Sequence, residues 1–238
     1  MNSGMSYRSL DAGYLKENVD RLERRIRARF PERSLAQVAA DVSRVVDENL
    51  IGTQLGVKRM RLARWASLVV IAALVAAVVM AVAILAQAAR SGIGDASQWP
   101  SFFESIINDL VFAGVAIYFA WLWPRRMQQR TILDALHELR SLAHVIDMHQ
   151  LTKDPERLRP DFVATEASYH ESLDAKELSY YLDYCSELLS CVAKIAALHG
   201  EHSSDPVVLA AIEGIEDLTT GMSRKIWQKI ALLPQNRG

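Results

Sequence analysis

A chain of 238 residues with 27 Lys and Arg against 28 Asp and Glu has almost no net charge. That balance argues against a protein built to hold long nucleic acid, whose folded domain is ordinarily basic, and leaves room for a short nucleotide held by a few convergent bases. The two cysteines, Cys185 and Cys191, point in different directions on a helix and no CxxC or Cys/His ligand spacing is present, so reduced, packed thiols are expected, and neither a disulfide framework nor a structural zinc.

Residues 1–10 read as disordered. From Asp11 to Phe30 dense charge surrounds Leu15, Val19, Leu22 and Ile26 at helical spacing, and Pro31 ends the element. Its basic run, residues 21–29, reads as a solvated helix face with Glu17, Asp20 and Glu23 as internal partners; the alternative is a face lying on anionic lipid or phosphate. Ser34 opens a second helix whose stripe, Leu35, Val38, Val42, Val45 and Asn49, must bury itself against the C-terminal domain or another subunit. Gly52 and Gly56 are expected to loosen the chain after it.

Residues 65–89 are twenty-five positions without a charge, and only Ser67 and Gln87 are strongly polar. A helix crosses the hydrocarbon core of a bilayer with about 20 apolar residues, so this stretch reads as a membrane span. It is too long and too far from the N-terminus for a secretory signal. A second apolar segment, residues 106–123, places Asn108 and Asp109 near one end, and the connection holds Gly92, Gly94 and Pro100, a turn composition. The two segments are expected to form a transmembrane hairpin. Lys58, Arg59, Arg61 and Arg64 precede the first span and Arg125, Arg126 and Arg130 follow the second, while the connection has only Arg90 against Asp95 and Glu104. By the positive-inside rule both termini are cytoplasmic. Trp65, Trp121 and Trp123 then mark the inner boundary, and Trp99, Phe102 and Phe103 the outer one. The expected organisation is a cytoplasmic helical N-terminal arm (1–60), a hairpin (61–124) and a cytoplasmic helical bundle (125–238).

Pro124 is expected to break the chain before a long helix over residues 125–151, with Ile132, Leu136, Leu139, Ala143 and Ile146 as an apolar seam. Residues 151–162 read as a loop or short turn in which Asp154 caps and Pro155 begins. Two further helices are predicted over residues 174–199 and 205–233. The first carries Leu178, Leu182, Cys185, Leu189, Val192 and Ile195, and Gly200 closes it; the second carries Val208, Ile212, Ile215, Met222, Ile226 and Ile230. No stretch alternates with period two over strand length, so the fold class is all-α.

The most chemically loaded stretch is residues 137–155. His137 and His144 share a face two turns apart, a rise of about 10 Å, too large for a shared metal ion without other ligands. Arg140, His144 and Asp147 form either a polar seam within the helices or one wall of an anion or nucleotide pocket, with Lys153, Arg157 and Arg159 arriving from the next loop. Arg130 and His137, with six residues between them, loosely match the Arg/His spacing of helical HEPN-type ribonucleases. There is no Gly-rich phosphate loop, no GxSxG and no carboxylate pair with a supporting base, so no enzyme and no cofactor are expected. Asp109 and Asn108 stand out because an ionisable side chain within a span usually faces water or marks a pathway; the bland alternative puts Asp109 at the outer interface. A ring of such carboxylates around an axis favours cation entry. Ala72, Ala76, Ala73, Ala77 and Ala81 place small residues at four-residue spacing on the first span, which permits close helix approach between copies.

A basic helical arm, a two-span hairpin with both ends inside and a helical cytoplasmic domain together resemble, over the whole chain, the two-transmembrane effectors of bacterial anti-phage defence, in particular the membrane effector of Hailong-type systems. The resemblance implies a homo-oligomeric inner-membrane channel held closed by a short single-stranded oligonucleotide from a partner nucleotidyltransferase, whose opening depolarises the infected cell. His137, Arg140, His144 and Lys153 are then the candidate ligand-binding residues, and Asp109 and Asn108 the candidate pore-lining ones. The competing expectation is a membrane-tethered interaction or adaptor module without a pore, and a third is a tethered HEPN-like ribonuclease.

Overall fold

Asp11 begins the first helix by accepting the backbone N–H groups of Gly13 and Tyr14, at 2.8 and 3.1 Å, donors that the first turn of a helix otherwise leaves unsatisfied. The computed structural model describes residues 10–90, 99–166, 168, 173–201 and 203–234; of 49–60, 85, 88, 89, 99–103, 105 and 106 only the backbone is described. Residues 1–9, the connection at 91–98, and the side chains of Asn49, Trp99, Phe102 and Phe103, on which expectations were placed, therefore lie outside the described residues.

Among the described residues every regular element is helical. They are α1 (Ala12–Arg29), α2 (Ser34–Arg90), α3 (Trp99–Leu151), a 3₁₀ turn (Pro155–Leu158), α4 (Ala175–Gly200) and α5 (Pro206–Ala231). Asp174 caps α4 through a reciprocal pair, its carboxylate accepting from Glu177 N at 2.7 Å while Glu177 Oε2 accepts from Asp174 N. Asp205 caps α5 ahead of Pro206, which loses nothing at a position whose N–H has no helical partner. Asp154 does the same for the 3₁₀ turn.

Two expectations about helix ends need correction. α2 runs through Gly52 and Gly56, because isolated glycines cost only about 1 kcal/mol each in a helix and neither is followed by a proline. α3 runs through Pro124. Proline removes the N–H that would bond the carbonyl four residues earlier, that of Ala120, at a cost of about 3 kcal/mol in an isolated helix. Here the Ser67 hydroxyl of α2 donates to the Ala120 carbonyl at 2.6 Å. A hydroxyl from a neighbouring helix takes the place of the missing amide, one of the ways apolar helices tolerate proline.

The chain divides into two compact units, residues 1–52 with 131–238, and residues 53–130. In the first, the predicted stripes meet in one apolar cluster: Leu15, Val19, Leu22 and Ile26 of α1, Leu35, Val38, Val42 and Val45 of α2, Leu136, Leu139, Ala143 and Ile146 of α3, and the inward faces of α4 and α5. The α2 stripe thus has its partner within the same chain. Phe30 meets the edges of Tyr181 and Tyr184 at 5.5 and 6.2 Å, and Arg25 and Arg29 lie over the rings of Tyr184 and Tyr180 at 5.2 and 3.9 Å. Arg25 also pairs with Glu187 at 2.9 Å. Of the expected acidic partners on α1, Glu17 engages Arg21 at 2.9 Å and Glu23 engages Arg27, while Asp20 pairs with Lys16 at 3.1 Å, which also meets Asp47 of α2 at 2.7 Å. Ser43 of α2 is buried and donates to Asp20 at 2.7 Å, which fastens α2 to α1.

The second unit holds two stretches long and apolar enough to cross a membrane, Arg61–Ile84 on α2 and one that begins at Ile107 on α3. A core helix of a water-soluble protein would bury such residues. Here Leu68, Val69, Val79 and Ile84 on α2 and Leu110, Phe112 and Phe119 on α3 are exposed. Leaving that much apolar surface in water costs about 25 cal/mol per Å², which sets both stretches apart from the core helix of a water-soluble protein.

Candidate functional site

The outward face of α3 carries three of the four predicted ligand residues. His137, Arg140 and His144 are all exposed, and the Ser141 hydroxyl beside them is turned back onto the His137 carbonyl at 3.1 Å. The Arg140 guanidinium reaches α5, where a Cβ on Gly214 would stand 3.6 Å from Nη2. Lys153, the fourth, is buried, with its ammonium 5.0 Å from the centre of the Tyr181 ring. The four residues thus fall into two environments, a solvated helix face and a buried lysine. Asp147 is bonded to the Gln150 amide at 2.7 Å, and Arg159 is engaged by Asp161 at 3.0 Å.

A polar cluster surrounds the C-terminal end of α3, where the last helical carbonyls lack intrahelical partners. Lys229 of α5 supplies donors, its ammonium bonding the carbonyls of Gln150 at 2.7 Å and Lys153 at 3.2 Å. Burial pushes the Lys229 pKa down, opposed by the nearby Asp154 and Asp147 carboxylates. Gln150 is buried, and its Oε1, like Nη1 of Arg157, has no hydrogen-bond partner among the described residues. The Cys185 thiol is pushed up to about 12 by burial, which the charges of Lys153 and Lys229 offset only in part, and burial raises Cys191 to about 11. Both thiols therefore stay protonated at neutral pH and are poor nucleophiles. Sequence reasoning missed Lys229. Its only local signal is a lysine at the edge of the α5 stripe, next to Ile230. Replacing it with Met is expected to cost about 1 kcal/mol, because the Gln150 carbonyl in the last turn of α3 and the Lys153 carbonyl just beyond the helix lose a charged donor, and thermal unfolding of the detergent-solubilised chain reads that loss.

His149 and His199 are half-buried, and burial holds both below the ordinary imidazole value, the Lys153 charge adding to the effect at His149. The His149 Nδ1 lies 3.2 Å from the Ser34 hydroxyl. Because the unfolded chain takes up these protons first, stability is complete above a pH of about 6.5 and declines as the pH falls below it. A melting temperature lower at about pH 5.5 than at about pH 7.5, with a smaller difference in His199→Leu, is the expected result.

Asn108 and Asp109 are exposed on α3 close to the start of its apolar stretch. At the other end of that stretch the Arg125 guanidinium lies over the Trp121 ring at 4.7 Å. Arg130 and His137 both stand exposed on α3. Among the described residues no three His, Cys, Asp or Glu side chains come together as metal ligands. No protein-family model, curated protein or solved structure matches this chain.

Proposed function

We propose that this chain is a two-span protein of the bacterial inner membrane, with both termini cytoplasmic, that assembles as a homo-oligomer and opens an ion pathway when its helical cytoplasmic part binds a nucleotide or short single-stranded oligonucleotide. The hairpin reading rests on arithmetic. From Ser67 to the end of α2 is about 35 Å of helix, and from the start of α3 to Ala120 about 32 Å. Residues 91–98 span at most about 30 Å. With Ser67 against Ala120, antiparallel helices bring the two ends level; parallel helices would leave them about 65 Å apart, beyond the reach of the connection.

The observation that carries the channel reading is Asp109, with Asn108 beside it, exposed near the start of the second apolar stretch, the end that the proposed topology puts outside. Facing lipid, a carboxylate is costly; facing a water-filled axis shared by several copies, it is not, and it concentrates cations. A monomer with two spans cannot enclose a pore, so the reading requires self-assembly. Both spans are carried on helices that also contribute to the folded helical unit, α2 at its start and α3 at its end, so a ligand that repositions those ends acts on the spans through continuous backbone. The similarity to two-span defence effectors supplies the ligand class, with a nucleotidyltransferase as its source, and His137, Arg140, His144 and Lys153 are the residues to test for it.

Asp109→Asn is expected to reduce cation preference in planar bilayers, read as a shift of the reversal potential towards zero under a salt gradient; an unchanged potential removes Asp109 from the pathway. The exposure of His137, Arg140 and His144 on an open helix face also suits a tethered docking module without a pore. Ion flux into liposomes containing the purified chain separates the two readings.

A further inference from the structure

We propose that the inner end of the two spans is a binding site for the phosphodiester headgroup of an anionic phospholipid, held by Arg61, Arg64, Arg125 and Arg126 with Arg130 behind them. This rests on the membrane reading but not on the pore. The Ser67–Ala120 hydrogen bond sets the register between the helices. Arg61 lies six residues before that contact and Arg126 six after it, so in an antiparallel pair both stand about 9 Å towards the inner side. Arg64 falls at the level of Trp123, and Arg125 just beyond it. All five arginines are exposed.

The charge of Arg61, Arg64, Arg125 and Arg126 has no acidic counterpart within a helical turn, whereas Arg130 has Asp134 one turn on. The sequence contains no Asp or Glu from residue 49 to 94, and none from 110 to 133. That sets this band apart from the basic face of α1, where Glu17, Glu23, Asp20 and Asp47 neutralise the bases. An uncompensated cluster of guanidinium groups calls for an external anion, and the planar fork of arginine suits phosphate oxygens. The surroundings select the source of that phosphate. Trp65, Trp121 and Trp123 are exposed at the same level, and the apolar faces of both spans begin immediately beyond, so the anion that fits carries acyl chains. Arg125 lies over the Trp121 ring at 4.7 Å. Basic pockets between spans on the cytoplasmic side are a recurrent way of holding acidic lipid.

The test uses the full chain in a mild neutral detergent, with bound lipid counted by native mass spectrometry after titration with phosphatidylglycerol or phosphatidylcholine. Phosphatidylglycerol is expected to bind in preference. R61Q and R126Q should each weaken it about fivefold, and R61Q/R64Q/R125Q/R126Q should abolish the preference while circular dichroism shows helicity retained. The corresponding Lys variant, which keeps the charge, should retain most of the binding and covers the case in which the Gln variant does not fold. An excess of inorganic phosphate should leave the lipid in place. Equal binding of the two lipids, undiminished binding in R61Q and R126Q, or displacement by inorganic phosphate would each overturn the assignment. Because no ion flux is measured, loss of the pore reading leaves this result standing.

Discussion

Phe30→Ala is expected to remove about 3–5 kcal/mol of stability, the range for deleting a buried aromatic ring. Phe30 is only 5 % exposed and sits at the end of α1, where its ring meets Tyr181 and Tyr184 of α4 edge-on. Truncation leaves a cavity between the N-terminal helix and a helix more than a hundred residues away in sequence, and it removes the aromatic contacts as well as the buried area. The surface pairs nearby cannot make up the loss, since exposed ion pairs such as Arg21–Glu17 contribute about 0–1 kcal/mol. Urea or thermal unfolding of the detergent-solubilised chain, followed by circular dichroism, measures the change. A cost below about 1 kcal/mol would mean that α1 is not part of the core.

The second large effect concerns Ser67 and Pro124, and its signature is non-additivity. Ser67→Ala alone should cost about 1–2 kcal/mol, because the Ala120 carbonyl then has neither an amide nor a hydroxyl donor in an apolar setting. Pro124→Ala restores the helical N–H at that position, so the carbonyl no longer depends on its neighbour. In the Pro124→Ala background, Ser67→Ala should therefore be nearly neutral. A double-mutant cycle on thermal stability in detergent isolates the coupling. Equal costs in both backgrounds would show that the hydroxyl does not replace the proline's missing donor.

These two sites mark what the sequence can and cannot reveal. The start of α5 at Asp205-Pro206, the cap at Asp154 and the stripes on α1, α4 and α5 were legible because start signals and apolar periodicity are local. Pro124 was misread for the opposite reason. The rule that proline ends a helix is local, and the hydroxyl that relaxes it lies 57 positions away in sequence. Gly52 and Gly56 were read by propensity alone, which a long helix overrides at small cost. In the candidate ligand set, the polar line of His137, Arg140 and His144 could be read from spacing, and the three are exposed together. Lys153 could not be separated from them, because a lysine's burial depends on what its stem meets, here Tyr181 of α4. Lys229 gave no signal for a similar reason: its partners are backbone carbonyls of another helix.

A core assembled from segments far apart in sequence has consequences for biosynthesis. Leu15, Val19, Leu22 and Ile26 leave the ribosome well before Val208, Ile215 and Ile226, which close the cluster they join. α4 and α5 must be made before α1 can complete its interior, and both greasy segments are synthesised in the meantime. During that interval an amphipathic helix with a fully apolar flank waits beside a translocating ribosome. A nascent chain arrested shortly before residue 205 should expose that flank to a holdase or a protease, whereas release of the finished chain should hide it.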